Sequence, residues 1–388
     1  MTDHVVASRS DRTVLCIARQ RAGRRFIEET LRLGGRVFVL TEDAEQHAAW
    51  PAGISGVITV WSMADRQGVL HVARELATRE RVDRVVALLE RDVEVAATLR
   101  EELRIPGQPS WQANLFRDKL AMRLKALSCD VRVPYFAPAS DRAAVGRMFE
   151  QVDPPYLLKI RDGLGAANIT RLDDRDSAWR AIDGLGSETE HYIVEQYVKG
   201  DVFHVDSLTQ DGQPRFAIAS RYGLPLLDVV KGGNFVSFTL DQETELARRL
   251  LEANRRIITG FGFEQGPTHI EFILGAHDQE VYFLEGASRL AAARIPWVIE
   301  EATGVCLHHE WARLEVLDAY TVSPGQRGFA GIVTTVARHG PADLSGFQDP
   351  HIVWRSPDPF VPGLILRADD PHVLEARIRA YDRQFSTL

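Results

Sequence analysis

The sequence is poor in cysteine. Cys16, Cys129 and Cys306 are an odd set in apolar settings, with no CxxC spacing. Such a set builds no disulfide framework and reads as reduced core thiols of a cytosolic protein, with a catalytic thiol as the minor alternative. No apolar run reaches membrane-spanning length, and the start, MTDHVVASRSDR, lacks the apolar core of a signal peptide. A cytoplasmic location without a membrane partner is expected. Positive charge is also scarce: 46 Lys and Arg against 54 Asp and Glu leave a net charge of -8, with the signs mixed along the chain. Without a long basic stripe there is no track for a nucleic-acid backbone, so an anionic cofactor must be held locally. The first apolar run is followed by RQRAGRR rather than G-x-G-x-x-G, which removes the dinucleotide fingerprint.

The 388 residues, 45% of them apolar, suffice for two or three domains with a sizeable core. From residue 13 to 112, the apolar runs TVLCIA, RVFVL, GVITV and RVVALL alternate with amphipathic stretches such as RAGRRFIEETLRLG. That rhythm predicts a largely parallel sheet with crossover helices. RDVEVAATLREELRIPG puts Val93, Ala96, Ala97, Leu99 and Leu103 on one helical face and stops at Ile105-Pro106-Gly107. A second helix, FRDKLAMRLKALSCDV, precedes the extended VRVPYF, and a domain change is expected near Gln112. PPYLLKI and NITRL then read as strands joined by RDGLGAA, and residues 176–184 as a helix. HYIVEQYV and FHVDSLTQDGQPRFAIASRYG add strands, with a turn at Asp211-Gly212. The helix ETELARRLLEANRRIITGFG closes at Gly260 and Gly262; from about residue 320 short strands lead to a final helix at DPHVLEARIRAY.

Two acidic residues interrupt apolar runs. In HIEFILGAHDQEVYFLEGASRLAAARIP, Glu271 lies among His269, Ile270, Phe272 and Ile273, and Glu285 follows Val281, Tyr282, Phe283 and Leu284. An unpaired carboxylate there is heavily penalised unless it is neutralised, hydrogen-bonded or metal-bound. Antiparallel strands around the GAHDQE turn bring the two together. Magnesium, which takes oxygen ligands and keeps waters and substrate phosphates in its shell, needs only one or two carboxylates. Arg289 is suited to stabilising charge on a transferring phosphoryl group. A cross-strand Glu–Arg network accounts for the three residues equally well.

Other candidates are weaker taken singly. Lys159 ends the run PYLLKI just before Gly163 and Gly165, so a cation and flexible backbone N–H groups can reach phosphate oxygens, although lysines beside such turns commonly reach only solvent. Lys119, in FRDK, reads alone as part of a solvated helical face, and Glu195, in HYIVEQYVKG, as a strand residue facing water. Arg294 suits bidentate capture of a carboxylate or is a surface charge. Lys231-Gly232-Gly233-Asn234 is either a surface turn or an active-site loop, and Arg221 and Asp228 are lesser substrate candidates. His308-His309-Glu310 lacks the spacing of a zinc site.

In order and spacing these features resemble the ATP-grasp superfamily over about residues 10–388. ERDVEVAATLREELRIPG and LLDVVKGGNFVSFTL resemble its carboxylate–amine ligase branch, which includes L-amino-acid ligases. The resemblance implies α/β and α+β architecture: an N-terminal Rossmann-like domain (1–112), an ATP-grasp small lobe with a nucleotide flap (113–195), and a large lobe (196–388) with a terminal subdomain from about 320. By the same resemblance Lys119 and Lys159 are phosphate lysines, Gly163 and Gly165 belong to the flap, and Glu195 with Gln196, Tyr197 and Val198 forms the adenine hinge. Glu271 and Glu285 match magnesium ligands, Arg289 the phosphate-stabilising arginine, and Lys231, Gly232, Gly233 and Arg294 are expected substrate contacts.

The implied chemistry uses ATP and Mg2+ to join a carboxylate to an amine through an acyl phosphate; a homodimer through the first domain is the implied assembly. Three positions depart from the family pattern. E-x-N is Glu285-Gly286-Ala287; a ribose-contacting acidic residue is Val202, with Asp201 and His204 adjacent; and Gly-Gly after the arginine is replaced by Leu290-Ala291-Ala292-Ala293. They motivate an alternative expectation, a degenerate ATP-grasp module that binds nucleotide or a partner without ligation.

Overall fold

In the first hundred residues the β-branched runs become four short strands, β1 (Thr13–Ile17), β2 (Arg36–Glu42), β3 (Gly56–Val60) and β4 (Arg84–Ala87). All pair in parallel in the order β3-β2-β1-β4. Central β1, TVLCI, is buried throughout, as a parallel strand covered on both faces must be. Helices α1 (Arg24–Arg32), α2 (Arg66–Arg79) and α3 (Val93–Leu103) cross between or flank the strands. The computed structural model describes residues 10–19, 22–165, 169–322, 325, 327–338 and 340–387. The start of the chain to residue 9, Gln20 and Arg21 of RQRAGRR, and residues 166–168 of the expected flap lie outside the described residues.

Two helices lead out of this sheet, α4 (Ser110–Leu115) and α5 (Lys119–Leu127). Gln112, where a domain change is expected, lies inside α4 and donates from its side-chain amide to the Phe261 carbonyl at 3.0 Å. The next layer contains β5 (Phe136–Pro138), α6 (Arg142–Gln151), β6 (Tyr156–Ile160), β7 (Ile169–Leu172), α7 (Arg175–Leu185) and β8 (Tyr192–Gln196). Its antiparallel sheet runs β5-β8-β6-β7.

The rest of the chain builds an eight-stranded antiparallel sheet. Its strands are β9 (Gly200–Gln210), β10 (Gln213–Tyr222), β11 (Phe235–Thr239), β12 (Gly266–Gly275), β13 (Val281–Ala287), β14 (Phe329–Thr334), β15 (Ile352–Arg355) and β16 (Gly363–Ala368). They lie in the order β13-β12-β9-β10-β11-β14-β16-β15, so the strands after residue 320 continue the same sheet. The helices are α8 (Leu226–Val229), α9 (Glu245–Gly260), α10 (Ile295–Thr303), α11 (Leu307–Val316) and α12 (Pro371–Phe385). Gly262, at φ 67°, takes the left-handed turn just past the end of α9, a conformation that costs glycine little.

The first domain and the large lobe share apolar core: Cys16 and Phe26 from one and Ile299 and Trp311 from the other belong to a single buried cluster. Cys16 and Cys306 are buried, and all three cysteines are free thiols. No helix among the described residues is long and apolar enough to cross a membrane.

Candidate active site

The turn GAHDQE reverses the chain so that β12 and β13 pair with Glu271 directly opposite Glu285. A register shift follows immediately, between Glu271 and Phe272, the kind of irregularity that re-aims side chains beside functional sites. Each carboxylate has its own partners. Lys119 Nζ lies 2.9 Å from Glu285 Oε1, and the Tyr222 hydroxyl donates to Glu271 Oε1 at 2.9 Å.

Lys119 reaches Glu285 because the start of α5 is tied to the end of β6. Asp118 caps α5, accepting from the backbone N–H of Leu120 at 2.8 Å, and also takes the Arg161 guanidinium at 3.1 Å. The Lys119 N–H donates to the Arg161 carbonyl at 2.9 Å, and Lys119 Nζ donates to the Gly163 carbonyl at 2.8 Å. Only 4% of Lys119 is exposed, so the solvated-face reading is corrected: the tether turns this helical position inward.

Glu195 is likewise not a water-facing strand residue, for it is completely buried. It stands opposite Leu157 in the β6–β8 ladder, which puts Lys159 on the neighbouring diagonal. Lys159 Nζ lies 2.5 Å from Glu195 Oε2, and Arg123 Nε donates to Glu195 Oε1 at 2.6 Å. Burial by itself pushes this carboxyl up, but Arg123 and then Lys159 overcome it and hold the pKa down at about 2. The Glu195 side chain therefore fixes two cations, while Gln196, Tyr197 and Val198 line the cavity beside it.

Behind Glu271 lies a buried network. His269 directs Nδ1 at Asp206 Oδ1 (3.0 Å) and Nε2 at Glu271 Oε1 (3.3 Å). His204 directs Nδ1 at Asp206 Oδ2 (2.7 Å) and Nε2 at Ser237 Oγ (2.8 Å). Burial disfavours a charged His269, but Asp206 and Glu271 outweigh it and lift the imidazole to about 9. Burial pushes His204 down. An imidazolium at His269 thus steadies Glu271, whose carboxyl is held below its ordinary value against the effect of burial. His204, Asp206 and His269 are close enough to share a metal ion, yet every ring nitrogen and carboxylate oxygen among them already has a partner.

Arg289 does not bridge the two glutamates as a cross-strand network would require. It is held instead by Glu90 of the first domain, with Nε 3.0 Å from Oε2, and Arg117 Nη1 grips the other oxygen at 2.9 Å. Glu90 sits just past the end of β4, at the carboxyl edge of a parallel sheet where ligand sites gather.

One cavity of about 330 Å³ is lined by Lys119, Lys159, Glu195, Glu271, Glu285 and Arg289, with Gly165 at its rim. Gly163 contributes through its carbonyl to Lys119. Lys231, Gly232 and Gly233 are not in the lining; the preceding Leu227, Val229 and Val230 are. Lys231 is exposed, Asn234 is anchored to the Asp382 carbonyl at 2.7 Å, and the Gly232 carbonyl accepts from Arg338. Arg294 also lies outside the lining, its guanidinium 4.4 Å from the Trp354 ring and 5.3 Å from that of Trp297. Arg221 pairs with Asp201 at 3.0 Å, Asp228 is exposed, and His308, His309 and Glu310 are within α11.

Several members of the site escape a reading of the sequence. Arg123 follows Lys119 by one helical turn, a spacing that could have identified it. Glu90, Arg117 and Tyr222 carry no motif, because the fold alone brings them in.

The ATP-grasp N-terminal domain family matches residues 27–107. The L-arginine-specific L-amino acid ligase of Bacillus subtilis is 28% identical over 269 residues, which are 66% of this chain and 64% of that protein; the match therefore spans somewhat under two thirds of the relative. The L-amino acid ligase structure from Bacillus licheniformis superimposes with a TM-score of 0.74 at 17% identity, covering 97% of this chain and 98% of that one. N5-carboxyaminoimidazole synthetase from Staphylococcus aureus, solved with ADP, gives a TM-score of 0.73 at 15% identity over 97% of this chain and 98% of its own. Residues 27–107 thus match the ATP-grasp N-terminal domain family, and the chain shares its fold along nearly its whole length with these ligase structures, with the lysine and glutamate pairs around one cavity.

Proposed function

We propose that the chain is an ATP-dependent ligase that joins a carboxylate to an amine and releases ADP and phosphate. One observation supports it above the others: Lys119, Lys159, the in-register Glu271–Glu285 pair and Arg289, from separate parts of the chain, converge on one cavity. The curated relative is an amino-acid ligase, and by the same chemistry an amino acid serves here as acid or amine.

The residues fit ATP with magnesium. Glu271 and Glu285 present hard oxygen donors side by side, while the two lysines supply cations suited to phosphate oxygens. Ala287 lines the same cavity without an oxygen donor in its side chain, so these two carboxylates would be the protein ligands to the metal. Magnesium, when bound, neutralises phosphate charge and polarises the γ-phosphoryl group. Lys119 and Lys159 hold the phosphates, and the backbone of Gln196 to Val198 faces the adenine.

A carboxylate oxygen of the acid attacks the γ-phosphorus; the bond to the β-phosphate oxygen breaks and ADP leaves with the electron pair. The amine nitrogen then attacks the acyl carbon, its proton is lost, and phosphate departs with the C–O electrons. Arg289 faces the charge that develops in both steps, so catalysis rests on positioning and electrostatics. Glu285→Gln is expected to abolish magnesium-dependent ATP turnover while circular dichroism and melting remain near wild type. Turnover close to normal in that variant would refute the metal assignment.

A further inference from the structure

Resting on the ligase reading, we infer that the acid substrate carries an apolar, uncharged side chain. The cavity lining combines the charged Lys119, Lys159, Glu271, Glu285 and Arg289 with apolar side chains, and one group of these adjoins Glu271. Tyr222, Leu227, Val229, Val230, Phe235 and Ile295 line the cavity together, and Tyr222, Phe235 and Ile295 belong to one apolar cluster. The Tyr222 hydroxyl touches Glu271 at 2.9 Å, and its ring lies 5.8 Å from that of Phe235. These side chains thus adjoin Glu271, the proposed metal ligand, and the rest of an acid substrate is placed against them.

Charge supports the same conclusion. The carboxylates in the cavity lining among the described residues are Glu90, Glu195, Glu271 and Glu285. Glu90 is gripped by Arg117 and Arg289, Glu195 by Arg123 and Lys159, Glu271 by Tyr222 and His269, and Glu285 by Lys119. Among the described residues the lysine and arginine cations of the lining are Lys119, Lys159 and Arg289, each already paired with a glutamate, and the exposed Asp228 and Lys231 beside Val229 and Val230 are outside the lining. A charged side chain placed against the apolar side chains loses its water without a partner, whereas an aliphatic or aromatic one gains by burial. Val230 is 58% exposed. A bound apolar group gives this uncovered surface something to pack against. The site thus differs in side-chain preference from the arginine-specific relative.

Hydroxylamine can replace the natural amine, since it intercepts an acyl phosphate as a hydroxamate and leaves the acid pocket as the sole variable. Hydroxamate and phosphate release would be measured for leucine, methionine and phenylalanine against arginine, lysine and aspartate, with ATP and magnesium. The expected result is a kcat/KM for the best apolar acid about 30-fold or more above that of any charged one, the order of effect given by burying one aliphatic side chain. Hydroxamate formed equally well or better from a charged acid overturns the inference and leaves the ligase reading intact. Hydroxamate from none of the acids defeats both. Val230→Asp, at an exposed position that tolerates charge, is expected to reduce the apolar-to-cationic ratio at least about 10-fold. An unchanged ratio would place the side chain elsewhere and refute the assignment to these apolar residues.

Discussion

Glu90 illustrates how a single residue of the first domain enters the chemistry of the other two layers. Its carboxylate is shared between Arg117 and Arg289, and the former fixes the acid that orients the latter. Glu90→Gln keeps the shape but removes the charge that anchors Arg289, so the guanidinium is free to swing away from the position in which the proposed mechanism uses it. A fall in kcat of about 10- to 100-fold with little change in the KM for ATP is expected, because a small misplacement of a positioned group acts mainly on the transition state. Steady-state kinetics of the variant decide this, and a rise in KM with kcat preserved would mean that Glu90 shapes the binding pocket instead. His269 shows the same principle inside the hairpin: its two ring nitrogens face two carboxylates, and that arrangement orients Glu271.

At the scale of elements, α5 is the hinge pin of the site. It projects Lys119 from its first turn and Arg123 from the next, so one short helix serves both Glu285 on β13 and Glu195 on β8. Arg123 is fully buried, with Nε on Glu195 and Cζ 5.6 Å from the Phe283 ring centroid. Arg123→Met retains much of the volume but leaves Glu195 with Lys159 alone in a dry setting. Removing one partner of a buried ion pair costs about 3–5 kcal/mol, so urea unfolding should show a loss of that order. The double variant Arg123→Met with Glu195→Gln is expected to recover part of it. No recovery would mean that the packing of Arg123, and not its charge, is what matters.

Across the whole molecule, α1 of the first domain docks on α11 of the large lobe. The Phe26 and Trp311 rings lie 4.8 Å apart, and Arg313 Nε reaches Glu29 at 2.9 Å. The same α11 carries His308, beside the Trp297 ring; burial first and then nearby Arg25 push its pKa down from 6.5 to about 4. Its folded-state pKa lies below the unfolded value, so the unfolded chain binds the extra proton first as pH falls. Stability from this group is complete above pH 6.5 and is lost between 6.5 and about 4, by on the order of 3 kcal/mol. Denaturant unfolding at pH 7 and pH 4.5 should show a shallower loss in His308→Gln than in the unchanged protein; equal losses would contradict the shift. The sequence by itself determined the local layers: alternating apolar runs set the parallel sheet, and the turn GAHDQE with its flanking strands put Glu271 opposite Glu285. These are short-range consequences of periodicity and turn chemistry. Only the tertiary structure decided that Arg123 shares Glu195 with Lys159, that Glu90 rather than a hairpin glutamate holds Arg289, that Lys231 and Arg294 fall outside the cavity lining while their neighbours line it, and that apolar side chains adjoin Glu271. Those outcomes depend on which faces of distant elements meet, and residue type and spacing along the chain carry no record of that meeting.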